Sequence, residues 1–132
     1  MKVLVTGTSG MLGTAVVKDL NKFNLFYETI ESGPSSVRNL ADLELAKEFV
    51  AEQNPDVVIH LAASKAARES MSFPSKYARN NIVGGLNLIN ACCEHNVKVF
   101  IFSSSAAVYG EPKYNPIDES HPLLPTNYYG FT

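Results

Sequence analysis

The chain has 132 residues, a formal net charge of −2, 45% hydrophobic and 18% charged residues, the balance of one soluble globular domain and not of a disordered or low-complexity chain. So small a net charge gives no electrostatic reason to expect nucleic acid or an acidic membrane surface as a partner. No apolar run approaches the roughly 20 residues that span a bilayer, and Met1-Lys2 leads straight into a strand without room for a signal peptide, so no membrane partner and a cytoplasmic location are expected.

Lys2-Val3-Leu4-Val5-Thr6 reads as a short buried strand running into Gly7-Thr8-Ser9-Gly10-Met11-Leu12-Gly13. A strand that delivers a glycine turn onto a helix start presents backbone amides at the positive end of the helix dipole, a cradle for pyrophosphate. Gly7 and Gly10 let the main chain turn tightly beside a ligand, and Gly13 lets the helix lie close on the sheet. The spacing is Gly-x-x-Gly-x-x-Gly, with Ser9 where the plain dinucleotide fingerprint has its second glycine. Met11, Leu12, Ala15, Val16 and Leu20 then follow a helical period, and the helix is expected to end between Asn21 and Asn24.

Leu25 to Ile30 has the β-branched and aromatic content of a second strand, broken by Ser32-Gly33-Pro34-Ser35-Ser36. In dinucleotide-binding folds an acid about 20 residues past the glycines holds the ribose hydroxyls, and Glu31 stands there. Glu31 is equally readable as a solvated surface residue, and Ser35, Ser36 and Arg38 offer a place for a 2′-phosphate, so NAD and NADP both stay open.

Asp42 to Val50 reads as a helix with an acidic start, closed by Asn54-Pro55. The apolar run Val57 to Ala63 predicts a strand buried on both faces of a parallel sheet, its small Ala62 and Ala63 leaving space for a cofactor beyond the strand end. His60 inside that run reads as a satisfied core residue. A helical stretch from Lys76 to His95 carries Asn80-Asn81 and Gly84-Gly85. A glycine costs roughly 1 kcal/mol inside a helix, so close helix packing is expected there. Cys92 and Cys93 are adjacent and read as free thiols, and with no second ligand pair at zinc spacing no metal site is expected. Val97 to Phe102 predicts another buried strand, ending in Ser103-Ser104-Ser105. Strands and helices alternating over short connections predict an α/β fold with a doubly wound parallel sheet.

Ser105, at the end of a strand expected to be central, and Tyr128-Tyr129-Gly130, after the turn-rich Pro112 to Pro125, are placed to line one crevice. A tyrosine serves as acid or base near neutrality only when a cation draws its pKa down from about 10. A neighbouring serine hydroxyl then holds a substrate hydroxyl or carbonyl in line. Without further context a serine run caps a strand end and a tyrosine pair packs.

Thr6-Gly7-x-x-Gly10-x-x-Gly13, His60-Leu61-Ala62-Ala63, Asn80-Asn81 followed by Gly84, Ser103 to Gly110, and Tyr129-Gly130-Phe131-Thr132 resemble, in order and spacing, the extended short-chain dehydrogenases/reductases. Within them the chain is most similar to the NAD-dependent nucleotide-sugar epimerases and dehydratases. The resemblance implies a Rossmann-like NAD(P)-binding domain over residues 1–132 and oxidation of a sugar hydroxyl by hydride transfer, with a tyrosine as acid/base. By the same resemblance Gly7, Ser9, Gly10, Met11, Leu12 and Gly13 cradle the cofactor, and Asn39 and Leu40 fall where the family has an aspartate and an apolar residue at the adenine. Asn39 departs from that pattern, though its amide still accepts a hydrogen bond. Leu61, Ala62, Ala63 and Ser103 border the cofactor, Lys65 reaches its ribose or the substrate edge, and Asn80 braces the strand ends. Ser105 and Tyr129 match the catalytic serine and the tyrosine of Tyr-x-x-x-Lys.

That lysine falls after Thr132, so the expectation is the amino-terminal portion of a longer enzyme, truncated before its C-terminal substrate-binding part and inactive alone. The segment between Ile30 and Asp42 is shorter than in typical epimerases and is more similar to NADPH-dependent keto-sugar reductases. A reductase, or a dinucleotide-binding fragment without turnover, are therefore the alternatives. The implied partners are a nucleotide-sugar and, in the full-length enzyme, a second copy as a homodimer.

Overall fold

The computed structural model describes residues 1–22 and 39–132, and between them the backbone of Glu28–Glu31. Strands β1 (Lys2–Thr6), β2 (Glu28–Glu31), β3 (Val57–His60) and β4 (Val99–Phe102) form one parallel sheet in the order β2-β1-β3-β4. Helices α1 (Met11–Lys22), α2 (Leu43–Gln53), α3 (Ala67–Ser72) and α4 (Pro74–Tyr77) follow in chain order, then a π turn over Ala78–Val83, α5 (Gly84–Glu94), a 3-10 turn over Ala106–Val108 and α6 (Tyr128–Phe131).

Period-two alternation divides the strand side chains between two cores. Val3 and Val5 face α1 and pack with Val17, joined by Val57 and Ile59. Leu4 and Val58 face the other way, onto Phe49 and Val50 of α2 and Leu88, Ala91 and Cys92 of α5. Helices thus cover both faces, as the doubly wound reading requires. Local chemistry sets the ends of α2. The Asp42 carboxylate accepts from the Glu44 and Leu45 amides at 3.1 and 3.2 Å, and Asn54 closes the helix in the left-handed region at φ 44°. At the amino ends of the strands Asp56 accepts from the Lys2 amide and pairs with Lys98. Those contacts hold its carboxyl below the usual carboxylate range.

Strand β2 is described over Glu28–Glu31, overlapping the expected Leu25 to Ile30 and running one residue past it; positions 25–27, with Ser35, Ser36, Arg38 and the side chain of Glu31, lie outside the described residues. Among those residues β4 is an edge strand and is half exposed, with Val99, Ile101 and Phe102 at 46%, 48% and 56%. Val99 and Ile101 pair in register with Val57 and Ile59, so they face the α1 side, and α1 packs over Val3, Val5 and their neighbours. Ser105 follows β4 directly. The close packing expected at the glycine pair is not found among the described residues. A Cβ on Gly84 would make ordinary contact with Leu40 at 3.5 Å, and one on Gly85 would meet nothing within 4 Å. The distinctive feature of that helix is the π turn just before the pair.

The chain passes from β1 to β2 on one side and then to β3 on the other, so the strand order reverses between β1 and β3. In open parallel sheets ligands bind in the crevice outside the carboxyl ends of the strands at such a reversal.

Candidate functional site

The glycine turn lies at that reversal, and its three glycines meet different constraints. Gly7 has φ +76°, and a Cβ there would sit 2.7 Å from the Ala62 amide nitrogen. A Cβ on Gly13 would sit 2.2 Å from the Gly7 carbonyl oxygen. Packing of the turn against β3 and α1 therefore fixes both positions. At Gly10 the nearest contact would be the Gly7 oxygen at 3.2 Å, with no other atom of the described residues within 4 Å apart from its chain neighbours. The turn leads into the first amides of α1, which have no partners inside their own helix. A cradle that only the second glycine keeps clear suits an anionic group resting on a helix start.

Beneath the turn, the Thr6 hydroxyl is a junction between β1 and the residues after β3. Its oxygen faces the Leu61 and Ala62 amides at 3.3 and 3.4 Å, and the Leu61 amide also reaches the Thr6 carbonyl at 3.3 Å. With amide donors on its lone pairs, the hydroxyl hydrogen goes to His60 Nδ1 at 2.7 Å. His60 is therefore the neutral tautomer protonated on Nε2. It is buried beside Phe100 and Phe102, and burial pushes its pKa down to about 4. The structure places it as the satisfied core residue the apolar run suggested.

Above this floor a cavity of about 660 Å³ is lined by Gly7, Ser9, Gly10, Met11, Leu12, Gly13, Asn39, Leu40, Leu61, Ala62, Ala63, Lys65, Asn80, Ser103 and Tyr129. Every sequence-predicted cofactor residue lies on this wall except Glu31, whose side chain is outside the described residues. Asn39 turns its side-chain oxygen onto the Ala41 amide at 3.1 Å. Leu40 packs against the α2–α5 core, and its carbonyl accepts from Asn87 at 3.0 Å. Lys65 is exposed on the rim.

A smaller cavity, about 180 Å³, holds Ser105 and Tyr129 together and shares Leu61, Ala62, Ala63, Ser103, Ser104 and Tyr129 with the larger one. The Ser105 hydroxyl oxygen accepts from the Ala107 amide at 3.2 Å and caps the 3-10 turn. Tyr129 belongs to α6, capped by Asn127 through the Gly130 amide at 2.9 Å. Gly130 is buried, and a Cβ on it would meet the Ala107 carbonyl at 2.4 Å. The missing side chain lets α6 lie directly on the turn after Ser105, which brings the serine and the tyrosine to one cavity.

Both asparagines of the pair act on Ser64, just past the cavity wall. Asn80 donates to the Ser64 hydroxyl at 2.9 Å. Asn81 accepts from the Ser64 amide at 2.8 Å and donates to its carbonyl and to the Thr132 hydroxyl, each at 2.9 Å. Most of the bracing expected of Asn80 thus falls to its neighbour. The π turn that holds them is a form frequent at functional sites. Elsewhere Cys92 is buried, with its thiol pushed up to about 11, and Cys93 is exposed; neither is bonded. Among the described residues no three His, Cys, Asp or Glu side chains gather as metal ligands, and no helix is long and apolar enough to cross a membrane.

A family model described as the NAD dependent epimerase/dehydratase family matches residues 3–132. The chain is 38% identical to the UDP-glucose 4-epimerase of Lactobacillus helveticus, aligning over all of itself and 44% of that protein. It is similar to the structure of UDP-glucose 4-epimerase from Bifidobacterium longum in complex with NAD+ and UDP, with TM-score 0.87 and 36% identity over 99% of this chain and 45% of that one. For the UDP-Glc/GlcNAc 4-epimerase from Campylobacter jejuni the TM-score is 0.88, with 33% identity over 98% and 45%. The chain spans less than half the length of each of these relatives.

Proposed function

The chain belongs to the NAD dependent epimerase/dehydratase family, and on that footing we propose that the whole protein is an NAD-dependent epimerase of UDP-sugars. The observation that carries this is the shared wall. Leu61 to Ala63, with Ser103 and Ser104, border both the cavity of the glycine turn and the cavity of Ser105 and Tyr129. The open cradle at Gly10 and the first amides of α1 fit a dinucleotide pyrophosphate, while Asn39, Leu40 and Ala41 at the far wall fit its adenosine end. NAD+, when bound, supplies a two-electron acceptor that returns the same electrons. Tyr129, as the phenolate, takes the proton of a sugar hydroxyl as the carbon hydrogen leaves with its electron pair. It gives the proton back when the resulting keto-sugar is reduced on its other face. Ser105 holds the reacting oxygen in line. A cation is needed beside the phenolate, and the family pattern puts it at the fourth position after Tyr129.

A homodimer and a cytoplasmic location belong to the same proposal. Val83, Leu86 and Ile89, at helical spacing and 42%, 55% and 40% exposed, support pairing through α5. Two free thiols suit a reducing compartment.

The test is to incubate the gene product that carries this chain with UDP-glucose and NAD+ and to measure UDP-galactose. Interconversion is expected, and Tyr129→Phe should lower kcat by about 10² to 10⁴, the range for a lost acid/base group, while leaving NAD+ affinity unchanged. Turnover confined to NADPH and a keto-sugar would make the protein a reductase and overturn the proposal.

A further inference from the structure

Each of the first three amides of α6 is met by a side chain. The Tyr128 amide faces Met71 Sδ at 3.3 Å, the Tyr129 amide donates to Ser70 Oγ at 2.9 Å, and the Gly130 amide donates to its own cap, Asn127, at 2.9 Å. The acceptors at Ser70 and Met71 belong to α3, which lies 59 and 57 residues earlier in the chain. That helix begins two residues past Lys65, so it follows directly from the crevice wall at Leu61 to Ala63.

Ser70 is 0% exposed. Its hydroxyl hydrogen goes to the Ala67 carbonyl at 2.6 Å, which fixes the rotamer and leaves the oxygen lone pairs toward Tyr129. A local bond of that kind is common for serine in helices. The bond across to the Tyr129 amide is not local, and a buried hydroxyl is costly unless its bonds are made. α3 is itself well held. Glu69 accepts from Lys76 at 3.0 Å, and the buried Tyr77 hydroxyl lies 2.8 Å from both the Ala66 carbonyl and the Glu69 carboxylate. Those contacts hold the Glu69 carboxyl below the usual range.

We propose that Ser70 is a positioning residue for Tyr129, capping α6 from a neighbouring helix so that the phenol is held at one place over the shared wall. This rests on the acid/base role given to Tyr129 above. Its mechanical part is separable from that role: the second amide of α6 is secured by the Ser70 hydroxyl of α3.

Two measurements test it. In the gene product that carries this chain, Ser70→Ala should speed hydrogen exchange of the Tyr129 amide about tenfold, the equivalent of one lost hydrogen bond, while the Leu88 amide in the core of α5 stays unchanged. Ser70→Thr, which keeps the acceptor oxygen, should retain the protection. Ser70→Cys, a weaker acceptor of similar shape, makes the same comparison if the alanine chain loses Leu88 protection. In the gene product that carries this chain, assayed with NAD+ and UDP-glucose, Ser70→Ala should lower kcat about a hundredfold, as a displacement of about 1 Å does. KM and NAD+ affinity should stay unchanged, and Ser70→Thr should recover kcat. An unaltered Tyr129 amide in Ser70→Ala overturns the proposal, as does an exposed amide with unaltered kcat. If the unsubstituted protein has no turnover, the acid/base role falls, and the exchange measurement alone decides whether Ser70 holds α6.

Discussion

Adding one methyl group at Gly13 and at Gly10 should give opposite results, because the turn uses the two glycines for different purposes. At Gly13 a Cβ would lie 2.2 Å from the Gly7 oxygen and 2.7 Å from Thr8 Cα, both backbone atoms that no side-chain rotation can move. Relief requires α1 to lift from β1, which strains the packing of Val17 on Val3 and Val5. Overpacking of this severity costs about 3 kcal/mol. With a urea m-value of about 2 kcal/mol/M, the midpoint should fall by roughly 1.5 M. At Gly10 the nearest atom of the described residues is the Gly7 oxygen at 3.2 Å, so Gly10→Ala should stay within about 0.5 kcal/mol of the parent chain. Its methyl group instead occupies the approach to the α1 amides. Loss of two amide bonds to a charged phosphate, about 1.5 kcal/mol each, should weaken NAD+ binding about a hundredfold. Urea unfolding followed by circular dichroism and an NADH fluorescence titration read the two effects separately. A Gly13→Ala chain with the parent midpoint, or a Gly10→Ala chain with the parent affinity, would refute this division of roles.

Thr6→Val keeps the shape of the side chain but strands His60 Nδ1 and the Ala62 amide beneath the cavity. A loss of about 2 kcal/mol is expected for buried groups left unpaired, read as a lower urea midpoint; an unchanged midpoint would mean that the junction does not hold the strands. His60 also makes stability depend on pH. Because burial lowers its folded pKa to about 4, the unfolded chain takes up a proton that the folded chain refuses between pH 6.5 and 4. The contribution is full above pH 6.5 and is lost as the pH falls toward 4, about 3 kcal/mol in all at 1.36 kcal/mol per unit. His60→Asn, which keeps an acceptor near Thr6, should remove that slope. Parallel stability curves for the two chains from pH 7 to 4 would contradict it.

Much of the site was legible because its signals are local. Strand, glycine turn and helix start are contiguous from Lys2 to Lys22, and Asp42 and Asn54 mark the two ends of α2 by their own chemistry. The small residues Ala62 and Ala63 announced the cavity wall because a strand end facing a ligand has to be low. What escaped depends on distant pairs. Nothing in the apolar run Val99 to Phe102 says that its partner is β3, since the register with Val57 to His60 is set across the fold. Thr6 and His60 each carried a motif, but their bond joins positions 54 residues apart. The bonds that Ser70 and Asn81 make to Tyr129 and Ser64 likewise join segments apart in the chain, which the residues themselves do not announce. The Gly84-Gly85 pair misled for a related reason: glycine in a helix signals a constraint without saying whether it is a neighbour or a change of helical pitch.

The Thr6 junction also bears on the order in which the protein is made. The glycine turn and α1 are complete by Lys22, yet the floor beneath them is supplied by Leu61 and Ala62. A nascent chain therefore carries the fingerprint of a nucleotide site well before it has the site. Contacts between segments so far apart form late and slowly. A ligand that binds only the joined arrangement draws the folding equilibrium toward it by mass action, so a dinucleotide held at the turn would add its binding free energy to closure of the sheet.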